Sequence, residues 1–209
     1  MSKSTDEDTI GLVVHSYNNF LAGMMGFTEL SLLEVEQDDL KERLELVLSS
    51  GKEAVVFGKQ LLSLTSRLQV AMKPVEVMAI IKEITNADNI ELVKEFEDQS
   101  VTVKSDAQWL WYCLETLCQF CKKLSQSDSM AMTVKLDGDQ LIIELNDKAL
   151  ELSQEQSEKI FEPFYSSRHM FGTKDVGLGF IRGFISQMKG EMIWDDERGF
   201  VMTLNCVVE

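Results

Sequence analysis

His15 is the side chain with the most chemistry to offer, and its helical neighbours are unusual. At spacings of three, four, seven, eight and eleven residues stand Asn18, Asn19, Ala22, Gly23 and Gly26, and Gly11 lies one turn before. The large side chains of the same segment sit around the rest of the helix. Position 15 therefore belongs to a polar, small-residue face against which a bulky partner can approach the backbone closely. An ordinary surface histidine is the plain alternative. Against it, glycine costs a helix about 1 kcal/mol relative to alanine, and three glycines on or near one stripe imply that the clear space has a use.

Two long helices must position this face. From residue 9 to 34, Ile10, Val13, Val14, Tyr17, Phe20, Leu21, Met24, Phe27 and Leu30 recur at three-and-four spacing, with Thr9 a cap after an acidic cluster. After the polar break "EVEQDD", a second stripe over 39–69 runs through Leu40, Leu44, Val47, Leu48, Val55, Val56, Leu61, Leu62, Leu64 and Leu68, weakened locally by Gly51 and Gly58. Two such helices joined by a short turn form an antiparallel hairpin. A hairpin alone cannot bury two apolar stripes, so the pattern predicts pairing with a second copy into a four-helix bundle.

Pro74 marks a change of character, and the chain divides into residues 1–72, the hairpin, and 73–209, a mixed unit. "PVEVMAIIKEIT" predicts a short helix, "IELVKEF" and "VTVK" predict strands, and 106–124 predicts another helix. "MAMTVKLDGDQLIIELND" predicts a β-hairpin turning at Asp137-Gly138-Asp139. A helix near 153–160, a loop over 161–176, a helix over 177–189 and two closing strands complete an α+β layered sandwich.

Composition narrows the function. The net charge of −15 argues against nucleic acid as a partner, because that affinity comes from Lys and Arg neutralising phosphates. The first fifty residues hold ten acidic and three basic side chains, so charge-based docking is expected to begin there. No apolar run reaches the roughly 20 residues that span a bilayer, and the polar N-terminus lacks a signal-peptide core, so the expected location is the cytoplasm. Cys118 and Cys121 form a C-x-x-C inside an apolar helical pattern with no second pair, and are expected to be buried reduced thiols, with no metal site.

"VVHSYNNFLAGMMGFTELSLLE" resembles the phosphoacceptor box of two-component sensor histidine kinases, especially the subgroup with His-Asp-x-Asn-Asn. "GKEAVVFGKQLLSLTSRLQ" resembles the second helix of that subgroup. "KIFEPFYSSRHMFGTKDVGLGFIRGFISQMKGEMIW" is similar to the phenylalanine and second glycine boxes of the ATP-binding domain. The matching segments follow in order across nearly the whole chain, with neither an upstream sensor nor a downstream receiver expected. The resemblance implies a homodimer, a response-regulator receiver as partner, and His15 as a phosphoacceptor whose imidazole nitrogen attacks phosphorus. Asn18 and Asn19 would stand beside the transferring group.

Several positions depart from the family pattern. The acidic residue that usually follows the phosphoacceptor is Ser16, which supplies no charge. Thr116 and Phe120 fall on the two asparagines of the Mg²⁺-holding helix, and phenylalanine cannot bind a hard cation. Glu115, next to Thr116, points about 100° away around the helix. At the first glycine box, Asp147 survives as the adenine-reading residue, but Ala149 and Glu151 replace glycines. Asp175 replaces a glycine of the second box, and Phe200 falls on a nucleotide-contacting threonine. Phe161, Phe164, Gly177 and Gly179 of the lid are kept. The resemblance then implies a histidine phosphotransferase on a degenerate kinase scaffold, with no intrinsic cofactor and with Mg²⁺ supplied by the receiver. The alternatives are an active ATP-dependent histidine kinase using Mg²⁺-ATP, Asp147 and the lid, or a non-catalytic receiver-binding or phosphatase module in which Asn19 positions water.

Overall fold

A computed structural model describes residues 2–97, 100–125, 130–147, 149–171 and 176–207, without the side chains of residues 2–12, 15 and 171. Helix α1 (Ser2–Glu34) and helix α2 (Asp38–Leu64) form the hairpin. Strand β1 (Lys73–Glu76), helix α3 (Val77–Asp88), strands β2 (Glu91–Lys94) and β3 (Thr102–Ser105), and helix α4 (Ala107–Ser125) follow. Strands β4 (Ala131–Asp137) and β5 (Gln140–Asn146), helix α5 (Gln154–Lys159), a π-helical turn (Ser166–Phe171), helix α6 (Gly179–Gln187) and strands β6 (Glu191–Asp195) and β7 (Gly199–Asn205) complete the order.

The hairpin closes on a seven-residue repeat. Val14, Leu21 and Thr28 are buried against α2, as a stripe spaced every two helical turns should be. A second α1 stripe, Val13, Tyr17, Phe20, Met24 and Phe27, remains 40–75% exposed in the single chain.

In the five-stranded sheet, order β2-β4-β5-β7-β6, only the β2–β4 pair is parallel. Its register sets Met132 beside Leu145, Val134 beside Ile143, Leu145 beside Phe200, and Met192 beside Met202. These residues alternate along their strands and are all buried in one cluster with Ile81, Leu110, Leu114, Phe180 and Phe184 from the helices. Cys113, Cys118 and Cys121 lie in the same core as free thiols, and burial pushes all three above the ordinary thiol range.

Four local expectations are corrected. Thr9 lies inside α1, which starts at Ser2. The segment from Pro74 does not begin as helix: Lys73–Glu76 pairs with β3, and the Glu76 carboxylate then caps α3 by accepting the Ala79 N–H at 2.7 Å. Helix α2 ends at Leu64 rather than 69. Ser66 takes φ +54, the Arg67 N–H donates to Leu62 O, and the Ser66 N–H donates to Ser63 O, a Schellman closure with serine where glycine is usual. The expected loop over 161–176 contains the π-helical turn.

The hairpin and the sandwich meet where α2 crosses α6. Ser63, fully buried, donates its hydroxyl to Phe180 O at 2.6 Å, Gln60 Nε2 donates to Tyr112 Oη at 2.8 Å, and Gln187 Nε2 donates to Leu68 O at 2.7 Å. A β-carbon at Gly183 would collide with the Ser63 carbonyl, so the two backbones approach as only glycine permits. Gly183→Ala should therefore destabilise the protein by about 1–3 kcal/mol, the usual cost of overpacking, seen as a lower urea midpoint in equilibrium unfolding.

Candidate functional site

Position 15 lies in the first half of α1. The imidazole itself falls outside the described residues. On the following turn Ser16 and Asn19 are exposed, and one turn later Gly23 and Gly26 have nothing within 4 Å of where a side chain would begin. Gly23 and Gly26 therefore leave open space along this part of α1. Asn18 behaves differently: it is half-buried, and its Oδ1 lies against Gly58 of α2, 3.0 Å from where a Gly58 β-carbon would stand. Sequence periodicity grouped Asn18 with Asn19 beside His15, but the two side chains face different surroundings.

Asp147, at the end of β5, is 4% exposed. Its Oδ1 accepts the Ala149 N–H at 2.8 Å, and its Oδ2 is buried with no hydrogen-bond partner among the described residues. Lys148 and Asp175 fall outside the described residues. Glu151 is exposed, and Leu150 between them is buried.

Phe200 dominates the interior of this region. It is 1% exposed, with its ring 5.8 Å from Phe120, 6.0 Å from Phe161 and 5.0 Å from Trp194, all edge-to-face. The β7 register places it opposite Leu145, two residues before Asp147. On the far side of the cluster a cavity of about 240 Å³ is lined by residues including Thr116, Phe120, Lys123, Ser166, Gly177 and Leu178; Asp147 does not line it. Glu115 does not line it either. Its Oε1 accepts from Gln119 at 3.0 Å beside Asp88, and burial raises its carboxyl above the ordinary range.

The glycine turn is held by its own lid. Gly177 adopts φ +74, and any side chain there would strike Ser166 Oγ. That Oγ, on a residue 1% exposed, accepts the Leu178 N–H at 3.0 Å. Phe164 takes φ +65 and donates its N–H to Val176 O at 2.7 Å, while Ser167 Oγ donates to Phe164 O at 3.1 Å. Gly179 opens α6 against Phe161 O and Leu64. Sequence matching located Phe161, Phe164, Gly177 and Gly179, but Ser166 carried no signal apart from its place between them.

A helical hairpin joined to this sandwich is the catalytic-core fold of the two-component histidine kinases, and comparison with known proteins bears the likeness out. No protein-family model matches the sequence. Among curated proteins, the autoinducer 2 sensor kinase/phosphatase LuxQ of Vibrio parahaemolyticus is 19% identical over 223 residues, covering 94% of this chain and 26% of LuxQ, so the chain spans about a quarter of that relative. Among solved structures, full-length ShkA in complex with AMPPNP matches with a TM-score of 0.69 at 15% identity, over 97% of this chain and 46% of that one. The histidine kinase ThkA in complex with the response regulator TrrA matches with a TM-score of 0.54 at 15% identity, over 95% of this chain and 60% of that one. Among the described residues, no helix is long and apolar enough to cross a membrane.

The Ser166 contact makes a local prediction. Ser166→Ala leaves the Leu178 N–H buried without an acceptor, at a cost of about 1–3 kcal/mol. Hydrogen exchange at the Leu178 amide should accelerate while the β5 and β7 amides keep their protection.

Proposed function

We propose that the chain is a histidine phosphotransferase, with His15 exchanging a phosphoryl group with the aspartate of a response-regulator receiver. The observation that carries this reading is the aromatic cluster around Phe200. Phe200, paired with Leu145 two residues before Asp147, and the rings around it are already packed on one another, and the cavity that Phe120 lines, about 240 Å³, falls below the ~300–1,000 Å³ usual for ligand sites. The Mg²⁺-holding asparagines are Thr116 and Phe120, and a hydroxyl and a ring do not make a divalent-cation site. The Leu178 amide, which would meet a phosphate, is engaged by Ser166. ATP and its metal thus fit these residues poorly, and no step of the reaction runs through them.

An aspartyl phosphate suits such a chain as donor. It is a high-energy acyl phosphate, and the receiver brings its own Mg²⁺. The histidine then needs position more than activation, which suits an uncharged Ser16. The exposed α1 stripe supports a homodimer through the bundle. Burying residues such as Phe20, Met24 and Phe27 against a second copy stabilises by about 1.5–3 kcal/mol each. A receiver as partner is in keeping with the complex of ThkA with its response regulator.

A second reading has one observation in its favour. The unpartnered buried Oδ2 of Asp147 would suit the exocyclic amine of adenine, as an active kinase requires. A phosphatase role would rest on Asn19, exposed four residues after position 15.

The test is transfer without nucleotide. A receiver phosphorylated with a labelled small-molecule phosphodonor is mixed with the chain, and the product is checked for acid-labile, base-stable label. Label on the wild type and none on His15→Ala is the expected result. Phosphate release that depends on Asn19 and persists in His15→Ala would replace transfer with hydrolysis.

A further inference from the structure

We infer that the exposed flank of α1 from Gly23 to the hairpin turn is the surface on which a receiver docks, and that it selects a receiver presenting an apolar helix edged with Lys and Arg. The receiver's identity as partner rests on the phosphotransfer reading, whereas the chemistry of the surface does not.

The exposed apolar side chains of α1 belong to two faces. At about 100° per residue, Leu33 falls at the same angle as position 15, with Ala22 and Gly26 within about 20° and Leu30 within about 60°. Val13, Phe20 and Phe27 lie more than about 100° away, on the stripe that a second copy would cover. Leu30 is nevertheless 60% exposed and Leu33 83%, so neither the hairpin nor the dimer stripe accounts for them. A shallow groove of about 540 Å³ has Gly23, Gly26, Glu29, Leu30 and Leu33 among its lining residues. The two glycines have nothing within 4 Å of where a β-carbon would stand, so a partner's helix can lie close against α1 there. A second groove, of about 560 Å³, lies at the turn between α1 and α2, with Glu34, Val35, Glu36 and Leu40 among its lining residues.

Charge decides the occupant. Residues 29–45 carry seven acidic side chains against Lys41 and Arg43. All seven acids are exposed, and among the described residues Arg43 to Asp39, at 3.8 Å, is the one ion pair within this stretch. Acids set around exposed leucines favour a partner with cations set around an apolar strip. They disfavour a second copy, whose own flank carries the same seven acids and would meet them across a twofold contact. Nucleic acid and anionic lipid are disfavoured on the same ground.

Reach favours a receiver. Leu33 stands eighteen residues after position 15, about 27 Å along the axis and close to the diameter of a small domain. One receiver can therefore rest on Leu30 and Leu33 while its aspartate lies at position 15. The acidic rim governs how fast a matching receiver arrives, and the leucines govern how long it stays.

The experiment measures binding of purified, unphosphorylated receivers to the full chain by biolayer interferometry. The panel spans receivers whose helical faces beside the aspartate range from acidic to basic. Receivers with basic faces should bind and those with acidic faces should not. Glu29→Lys combined with Glu34→Lys and Glu36→Lys should slow association of a basic receiver about tenfold at about 0.05 M salt, and the loss should shrink at about 0.5 M. Leu30→Ala combined with Leu33→Ala should raise Kd about tenfold, chiefly through faster dissociation. Both variants should sediment with the mass of the wild type. Weaker self-association of the leucine variant would mean that a second copy covers this flank, and overturns the inference. Binding indifferent to receiver charge, binding unchanged in both variants, or no binding across the panel overturns it as well. Transfer from the same receivers, phosphorylated with a labelled donor, is read in parallel. Charge-selective binding without label on His15 keeps the docking surface and removes the phosphotransfer reading, whereas label with binding unchanged in both variants removes the docking surface alone.

Discussion

The packing of one side chain, Phe200, constrains most of what this molecule can do. Phe200 sits on β7 between β5 and β6, fully enclosed, with three aromatic rings edge-on to it. Aromatic pairs of this geometry contribute about 0.5–1.5 kcal/mol each beyond the area they bury. Removing the ring to admit a ligand would therefore cost part of the sandwich core. Asp147 does not line the cavity at Ser166 and Gly177, so the buried carboxylate and the glycine turn do not share that space.

The polar groups at the start of α6 are held by internal contacts as well. In a nucleotide-binding sandwich, the amides at the start of α6 would be left open for phosphate. Here Ser166 meets one of them, and Phe164 and Ser167 tie the lid to its own backbone. On the other side of α6, the glycine at 183 lets Ser63 come close enough to bond Phe180. The lid and the hairpin are thus both held against α6 by internal contacts, with no exogenous group needed to complete them.

Much of this was legible in the sequence because it depends on short-range pattern. The helical stripes, the β4–β5 turn at Gly138 and the loss of the asparagines and glycines all follow from residue type and spacing. What escaped depends on distant partners. Lys73–Glu76 reads as the start of a helix because its apolar residues suit one, but its backbone is claimed by β3 about thirty residues later. The end of α2 was missed because its left-handed residue is Ser66, which carries none of the signal a glycine would. Ser166 is one hydroxyl among several until the fold sets it against Leu178. Asn18 and Asn19 are adjacent letters on one helical face, and only the position of α2 turns one inward and leaves the other exposed. Phe200 could be seen as a misfit at a nucleotide position, but the three rings around it come from three separate elements.

The most direct test of the account is a calorimetric titration of the wild-type chain with Mg²⁺-ATP at neutral pH. The Phe200 cluster and the Ser166-held lid predict no saturable heat into the millimolar range. Saturable binding at micromolar concentration would contradict the account, because it would require the cluster to open at little cost and would return the chain to the ATP-dependent kinases.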